Sequence, residues 1–239
     1  FISKDIKTDK NNNSQFKEIK KLINKSLQFL NRKTILIILS QVNPGFTRKI
    51  NWPKSNLYYQ VETLIFGEAI KRAKKPERFI IGSNNPKRKI NSNYKKYLKS
   101  FKCPLFNVKY ESAELSKISI NIMLASSITA TNTLAEICEN VNADWSEIKD
   151  TLKLDKRIGK YSYINPGLGI SGGNIERDLK TVTKISQIKK IKSKYINSII
   201  HSSAQRKNWT FHLFNNEILK KVPYHSFDFI NNYHFILYK

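Results

Sequence analysis

The first hundred positions alternate between two kinds of apolar run. Residues 34–42 are almost continuously apolar and β-branched and end at an Asn-Pro-Gly turn, which predicts a strand buried on both faces of a parallel sheet. Residues 15–30 instead carry apolar positions at helical spacing. A second helix is predicted over 68–74 and a second short buried strand over 78–82. Helices that alternate with buried strands predict a doubly wound α/β sheet.

The pattern changes after residue 102 and becomes helical. One long helix is predicted over 111–140, and its apolar stripe comprises Leu115, Ile118, Ile122, Ala125, Ile128, Leu134 and Ile137. A shorter helix is predicted over 145–152, and a helical pattern resumes over 179–200. The length of the first helix suits a subunit or domain interface as much as a core. The end of the chain, 209–239, is aromatic, only weakly periodic and strand-like over 233–238.

The chain is strongly basic, with 43 Lys and Arg against 18 Asp and Glu and a formal net charge of +25. A basic surface can neutralise phosphates, so nucleic-acid binding stays an alternative. The lysines are spread along the whole chain, however, and no zinc finger or RNA-binding motif occurs, so we expect no nucleic-acid partner but a preference for anionic ligands.

The sequence lacks the features of a membrane or secreted protein and those of a metal site. It contains no run of eighteen apolar residues and does not open with a signal peptide, so we expect a cytoplasmic protein without a membrane partner. Cys103 and Cys138 have no neighbouring His or Cys at ligand spacing, so we interpret both as packing residues and expect no metal site.

The segment 165–178 is the most informative one for function. Four of its first nine residues are glycine, and it ends in a polar cluster that includes Asn174 and Asp178. Glycines let a backbone bend closely around a ligand. The segment therefore predicts a binding loop, although glycine-rich loops without catalytic function are also common.

Five blocks in order resemble the UDP-glucose/GDP-mannose dehydrogenase family. They are Asp5-Ile6-Lys7-Thr8-Asp9, Ser40-Gln41-Val42-Asn43-Pro44-Gly45-Phe46-Thr47, Tyr59-Gln60-Val61-Glu62-Thr63-Leu64-Ile65-Phe66-Gly67, Glu114-Leu115-Ser116-Lys117 with Asn121, and Arg157 through Asp178. The resemblance covers nearly the whole chain. It implies an NAD-dependent oxidoreductase that acts on a CH-OH group of a UDP- or GDP-sugar and serves polysaccharide biosynthesis.

The fourth block has a physical logic of its own. Lys117 and Asn121 are four residues apart, so their side chains project together from consecutive helical turns. A cation and an amide at one place can stabilise an oxyanion that develops when a sugar hydroxyl is oxidised. The alternative is a solvated lysine and a helix-interior asparagine.

The resemblance also implies roles for other residues. Asp178 and Glu62 would join Lys117 and Asn121 in the catalytic cluster, and Thr8, Gln41 and Glu62 would approach the NAD cofactor. Arg157 would reach the sugar nucleotide across a homodimer interface built on helix 111–140. The remaining substrate-binding residues would be Leu64, Tyr163, Asn165, Gly167, Gly169, Gly172 and Gly173.

Asn174 stands where the family has its nucleophilic cysteine. An amide cannot form the thiohemiacetal that leads to a uronic acid, but it can donate hydrogen bonds to an oxyanion. We therefore expect a single two-electron step, and a catalytically inactive sugar-nucleotide-binding or dimerising relative remains the alternative. Gln41, Phe66 and Ser127 also depart from the family pattern, so the sugar is left open.

The expected domain organisation follows from pattern and resemblance together. Residues 1–105 would form the C-terminal part of a Rossmann-like NAD-binding domain, 106–205 a helical central dimerisation domain with the substrate loop, and 206–239 the start of a second α/β domain that binds the UDP-sugar. Because the chain begins at Phe1 and lacks the first βαβ unit, we expect a fragment that binds NAD poorly and is inactive alone.

Overall fold

The computed structural model describes residues 1–10, 14–65, 67–170 and 173–215. The chain divides into two compact units, Phe1–Leu124 with Gly172–Ser193, and Ala125–Ser171 with Lys194–Lys239. All strands of the sheet lie in the first unit, and the described part of the second is helical. The expected combination of an α/β part and a helical part is thereby confirmed.

The elements of the first unit are α1 (Lys17–Leu27), β1 (Leu36–Ile38), a 3-10 turn (Thr47–Lys49), β2 (Leu57–Gln60), α2 (Ala69–Lys74), β3 (Phe79–Ser83), α3 (Ser92–Lys99), β4 (Leu105–Lys109), the start of α4 (Tyr110–Val141) and α6 (Gly173–Ile188). The second unit contains the rest of α4, followed by α5 (Trp145–Leu154), α7 (Lys194–Lys207) and α8 (Trp209–Leu213).

The sheet has the order β1-β2-β3-β4 and is mostly parallel. β1 pairs parallel to β2 and β3 parallel to β4, whereas β2 and β3 are antiparallel. The fully parallel sheet predicted from the apolar runs is therefore wrong at this one pair. α2, which lies in the connection from β2 to β3, has no buried residue, so it does not cover a sheet face as a crossover helix would.

Both faces of the sheet are covered, as the continuous apolar runs predict. Ile38 and Tyr59 pack on one face with Ile19 of α1 and Tyr110 of α4. Their chain neighbours Ile37 and Tyr58 pack on the other face with Tyr94 and Leu98 of α3. Because successive side chains of a strand point to opposite faces, β1 and β2 are buried on both sides.

Gly82 in β3 brings the sheet into direct contact with the beginning of α4. A Cβ placed at Gly82 would lie 2.9 Å from the Ala113 Cβ, 3.1 Å from the Tyr110 Cα and 3.2 Å from the Tyr59 Cβ. No side chain fits there unless helix or strand moves. The glycine therefore sets the distance between the sheet and the helix that carries Lys117.

The predicted helices and strands mostly occur, with shifted ends and some omissions. The pattern over 179–200 is interrupted, because α6 ends at Ile188 and α7 begins at Lys194. The elements β2, β4 and α3 were not predicted. The strand-like run 233–238 lies outside the described residues, so the expected start of a second α/β domain cannot be compared.

The stripe of α4 is buried only in part. Ile118 and Ala125 are buried, whereas Leu134 and Ile137 are half exposed. Cys138 is buried beside Trp145 and Ile164 of the second unit, as expected of a packing residue. None of the described helices combines the length and apolarity needed to cross a bilayer.

Candidate active site

The first unit brings together three segments that are far apart in sequence. The loop after β1 contributes Gln41, the third and fourth turns of α4 contribute Lys117 and Asn121, and the first two turns of α6 contribute Asn174, Arg177 and Asp178. Gln41 and Asp178 are 137 residues apart and hydrogen-bonded. A polar cluster of this kind requires the folded unit.

Asp178 is the buried centre of the cluster, with only 2% of its surface exposed. Its Oδ2 accepts a hydrogen bond from Asn121 Nδ2 at 2.6 Å, and its Oδ1 accepts one from Gln41 Nε2. Burial raises the pKa of the Asp178 carboxyl, and these two hydrogen bonds and the charges of Arg177 and Lys117 oppose that rise. The sequence-predicted pair Asn121 and Asp178 is therefore in direct contact.

Arg177 is a functional candidate that the sequence reasoning did not assign. It is 4% exposed, and its guanidinium donates to the Ile6 carbonyl at 3.1 Å. Its Nη2 donates to Gln41 Oε1 at 2.7 Å and to Asn174 Oδ1 at 3.0 Å. Its place directly before Asp178 was the available signal. A buried cation requires such a set of acceptors.

Lys117 is half-buried and faces the same cluster. Burial lowers the pKa of its ammonium group, while the negative charges of Asp178 and Glu62 act in the opposite direction. In the described part of the chain, no acceptor takes a hydrogen bond from its Nζ. The pKa values of Lys117 and Asp178 are thus shifted toward each other, which favours proton transfer at this place.

A cavity of about 280 Å³ opens beside these groups. Its lining includes Gln41, Glu62, Leu64, Lys117, Asn174 and Arg177, together with residues 3–6. Eight of its lining residues belong to the resembling blocks, and the candidates Glu62 and Leu64 line the same cavity as Lys117. The lining carries three cations, two carboxylates and two amides, which suits a small polyhydroxylated, oxygen-rich ligand.

The loop that carries Gln41 is fastened to α4 by a buried carboxylate. Glu114 is fully buried and accepts hydrogen bonds from the backbone N–H groups of Gly45 and Thr47, the latter at 2.8 Å. Burial raises the pKa of Glu114 although these donors oppose it. Since Glu114 lies one helical turn before Lys117, the loop and the lysine share one support.

Most of the other predicted substrate-binding residues lie in the second unit. Arg157 is largely exposed and pairs with its own neighbour Asp155 through Nη2 at 2.6 Å. Tyr163 and Asn165 are exposed. Gly172 lies outside the described residues, and Gly173 begins α6 in the first unit.

The glycine loop of the second unit is held by residues that the sequence reasoning missed. Asn132 of α4 accepts from the Gly167 N–H at 2.7 Å, and Arg206 donates to the Gly167 carbonyl at 3.1 Å. Gly169 has a φ of +85° and lies so close to α7 that a Cβ would be 2.7 Å from the Ser203 carbonyl oxygen. A glycine is therefore required at 169 by both conformation and space.

The residues expected near a nicotinamide cofactor are only partly at the cavity. Glu62 and Gln41 line it, but both ends of the Gln41 carboxamide are engaged by Asp178 and Arg177. Thr8 is half-buried in an isolated bridge with Ser14 and is not among the lining residues.

Residues 167–172 have the Gly-x-Gly-x-x-Gly spacing of a dinucleotide fingerprint and precede a helix, which the sequence reasoning overlooked. In a Rossmann unit that motif follows a strand, and residues 155–170 contain none. The described residues contain no group of three or more His, Cys, Asp or Glu suited to a metal ion.

Known proteins resemble this chain in sequence. Residues 111–205 match the model of the UDP-glucose/GDP-mannose dehydrogenase family, central domain. The chain is 31% identical over 146 residues to a UDP-glucose 6-dehydrogenase of Bacillus subtilis, which covers 61% of this chain and 31% of that protein. It is 27% identical over 195 residues to the UDP-glucose 6-dehydrogenase of Rickettsia conorii, covering 77% of this chain and 44% of that one.

Solved structures share the fold. A UDP-D-ManNAc dehydrogenase of Pyrococcus horikoshii superposes with a TM-score of 0.76 at 17% identity, over 90% of this chain and 52% of that one. A UDP-glucose dehydrogenase of Pyrobaculum islandicum gives 0.72 at 19% identity, over 87% and 49%. The chain thus spans half or less of the length of the curated relatives it matches.

Proposed function

We propose that this chain, whose residues 111–205 match the central domain of the UDP-glucose/GDP-mannose dehydrogenase family, contributes the catalytic cluster of an NAD-dependent oxidoreductase that acts on a CH-OH group of a nucleotide sugar. The contact between Asn121 and Asp178 beside Lys117 carries this proposal. It joins two of the resembling blocks into one buried cluster at a cavity of suitable size.

The cavity residues divide the chemistry among them. Lys117 is placed to stabilise the alkoxide oxygen of the reacting carbon or, when neutral, to take its proton, and burial favours the neutral form. Asp178 is buried and hydrogen-bonded to Asn121 and Gln41. Glu62 is a carboxylate that lines the cavity itself. NAD would supply the acceptor for the hydride, and of the candidate cofactor residues Gln41 and Glu62 line the cavity.

The reaction is expected to stop after two electrons. The oxidised carbon becomes an aldehyde when its hydroxyl proton goes to a cavity base and its hydride leaves. A further oxidation by the covalent route needs a thiolate, and Asn174 offers none. The product is therefore an aldehyde rather than a uronic acid.

The test is an assay of the full-length protein with a panel of UDP- and GDP-sugars and NAD. One NADH per sugar with an aldehyde trapped by hydroxylamine is the expected result. Uronate with two NADH per sugar would refute the two-electron limit. A Lys117→Met variant that keeps wild-type turnover would refute the role of the cluster.

A non-enzymatic sugar-nucleotide-binding relative is the second candidate. It is favoured by the engagement of Asp178, whose two oxygens both accept hydrogen bonds from neighbouring amides. Saturable binding of a UDP-sugar without NADH formation at any pH between 6 and 10 would support this candidate over the enzyme.

We also propose a homodimer through α4, as supported by its exposed apolar residues Leu134, Ile137 and Val141. Exposure of three apolar side chains on one stripe to water is unfavourable, and a second copy of the helix would cover them. Light scattering after gel filtration is expected to give twice the mass of one chain, and an Ile137→Glu variant half of that. Thr151→Glu, which adds the same charge at an exposed position of α5, should remain dimeric. Loss of the dimer in both variants would contradict this surface.

A further inference from the structure

The hydrogen bonds around Asp178 follow one direction that the side-chain chemistry imposes. A carboxylate only accepts, so Asp178 fixes the Gln41 carboxamide with its NH₂ end toward Oδ1. The opposite end of Gln41, Oε1, then faces Arg177 and accepts from its Nη2 at 2.7 Å. Gln41 is thus held in one orientation by an acceptor on one side and a donor on the other.

The same logic extends one residue further to Asn174. A guanidinium only donates, so Arg177 fixes the Asn174 carboxamide with Oδ1 toward Nη2, at 3.0 Å. The NH₂ end of Asn174 then points away from Arg177. Among the described residues no acceptor takes a hydrogen bond from Asn174 Nδ2, and the exposed Asn174 lines the cavity.

We propose that Gln41 and Arg177 are positioning residues, which orient Asn174 so that its NH₂ group donates a hydrogen bond to an oxygen on the reacting carbon of the sugar. This inference rests on the proposed function in one respect, that a nucleotide sugar occupies the cavity. It assigns a role to Gln41, Asn174 and Arg177, which differ from the family pattern or lie next to residues that do. Asn174 donates a hydrogen bond to an oxygen at the position where a cysteine of the family would attack carbon.

The arrangement has a physical advantage for a carbonyl or alkoxide oxygen. Lys117 and the Asn174 NH₂ group both line the cavity, so such an oxygen meets a cation and a neutral donor. A donor whose acceptor end is already fixed loses little rotational freedom when the ligand binds. An Asn174 that was free to flip would present its carbonyl oxygen half of the time and repel the same ligand atom.

Ligand affinity provides the first readout. UDP-glucose and UDP-6-deoxyglucose differ in one oxygen, and calorimetry with the full-length protein should show roughly tenfold tighter binding of UDP-glucose, the value of one additional hydrogen bond. Arg177→Lys keeps a donor to Asn174 and should keep this ratio. Arg177→Met and Asn174→Asp should lower this ratio severalfold and leave only the contribution of Lys117. A ratio that stays near ten in Arg177→Met would overturn the inference.

Nuclear magnetic resonance of the ligand-free protein provides a second readout that does not depend on the proposed function. The side-chain ¹³Cγ resonance of Asn174, assigned through its loss in Asn174→Asp, reports a hydrogen bond to Oδ1. It should shift upfield in Arg177→Met and Gln41→Met but not in Arg177→Lys. If no nucleotide sugar binds, the proposed function fails, and this resonance still decides the orientation. An unchanged resonance in Arg177→Met would reject the positioning role.

Discussion

At the scale of single residues, the surroundings of Asn174 favour a negative charge that Asn174 itself does not carry. The Arg177 guanidinium lies 3.0 Å from the Asn174 oxygen, and Asn174 stands in the first turn of the 16-residue α6. Both a guanidinium and a helix N-terminus favour a negative charge at this position. The sequence predicted the loss of the nucleophile, but the surrounding charges became visible only when Gln41 and Arg177 were placed around it.

A cysteine introduced at this position should therefore be a thiolate near neutral pH. In Asn174→Cys we expect a thiol pKa about one to two units below the usual value of about 8.5, because Arg177 and α6 stabilise the anion. The rate of iodoacetamide alkylation against pH measures it, with the wild-type chain giving the background from Cys103 and Cys138. A double variant with Arg177→Met should return toward the usual value. An Asn174→Cys thiol that titrates near 8.5 despite an intact Arg177 would contradict this prediction.

The buried position of Lys117 at the cavity should lower the free energy of unfolding at neutral pH. Its pKa is lowered by burial, so the folded state favours the neutral amine. Above pH 10.4, about the pKa of lysine in the unfolded chain, the buried amine is neutral in both states and costs no stability. As pH falls from there through the lowered pKa of the folded state, the unfolded chain binds the proton more readily and the folded protein loses stability. Lys117→Met should thus unfold at higher urea than the wild type at pH 7, with the difference vanishing near pH 10.5. The opposite order at pH 7 would show that Asp178 and Glu62 outweigh burial.

At the scale of elements, the site depends on how α4 fastens the loop after β1. Glu114 accepts two backbone N–H groups of that loop, and Arg48 pairs with Glu111 one turn earlier on the same helix. The spacing of Lys117 and Asn121 was readable from the sequence, since both lie on one face of a strongly periodic helix. The burial of Glu114 was not, because its partners are backbone groups that any sequence would carry.

The missed elements have similar local causes. β2 (Leu57–Gln60) and β4 (Leu105–Lys109) lack the adjacent isoleucines that mark β1 and β3. α3 begins at a capping Asn91, whose side chain accepts from the Asn93 N–H, but this signal lies within a basic, polar run. The end of α6 is followed by Lys190 with a φ of +56°, a conformation that lysine rarely adopts and no glycine announced.

Removal of one acceptor at Glu114 should be costly. In Glu114→Gln an NH₂ group replaces an oxygen that faces a backbone N–H, and a buried donor loses its partner. We expect a loss of about 1–3 kcal/mol in the free energy of unfolding, measured by urea titration. The matched control is Glu111→Gln, where the more exposed pair with Arg48 should cost less than about 1 kcal/mol. Equal losses in the two variants would argue against the buried role of Glu114.

At the scale of the whole molecule, the combination of an α/β unit and a helical unit could be predicted because five separate blocks agreed in order. The antiparallel pair β2–β3 could not, since the apolar pattern of a strand does not encode its direction.

The net charge of +25 is a further property of the entire chain. It already counts the acidic partners of exposed ion pairs such as Lys71–Glu68, and such pairs stabilise the protein little.

Repulsion among these positive charges should make the protein more stable in salt. The screening length falls from about 10 Å at 0.1 M to about 3 Å at 1 M, so added NaCl reduces self-repulsion. We expect the melting temperature, followed by circular dichroism, to rise over this range. Choline chloride should act alike, since screening depends on ionic strength. A fall in melting temperature with both salts would mean that attractive pairs dominate.

The close contact between Gly82 and α4 limits which substitutions the protein tolerates. Because Gly82 has no side chain, α4 packs directly against β3, and the following turns of α4 carry Lys117 and Asn121. A substitution to alanine would leave every cavity residue in place in the sequence and still displace the lysine. Random mutagenesis scored by activity should thus find one of its least permissive positions in the middle of a strand, at a residue that does not line the cavity.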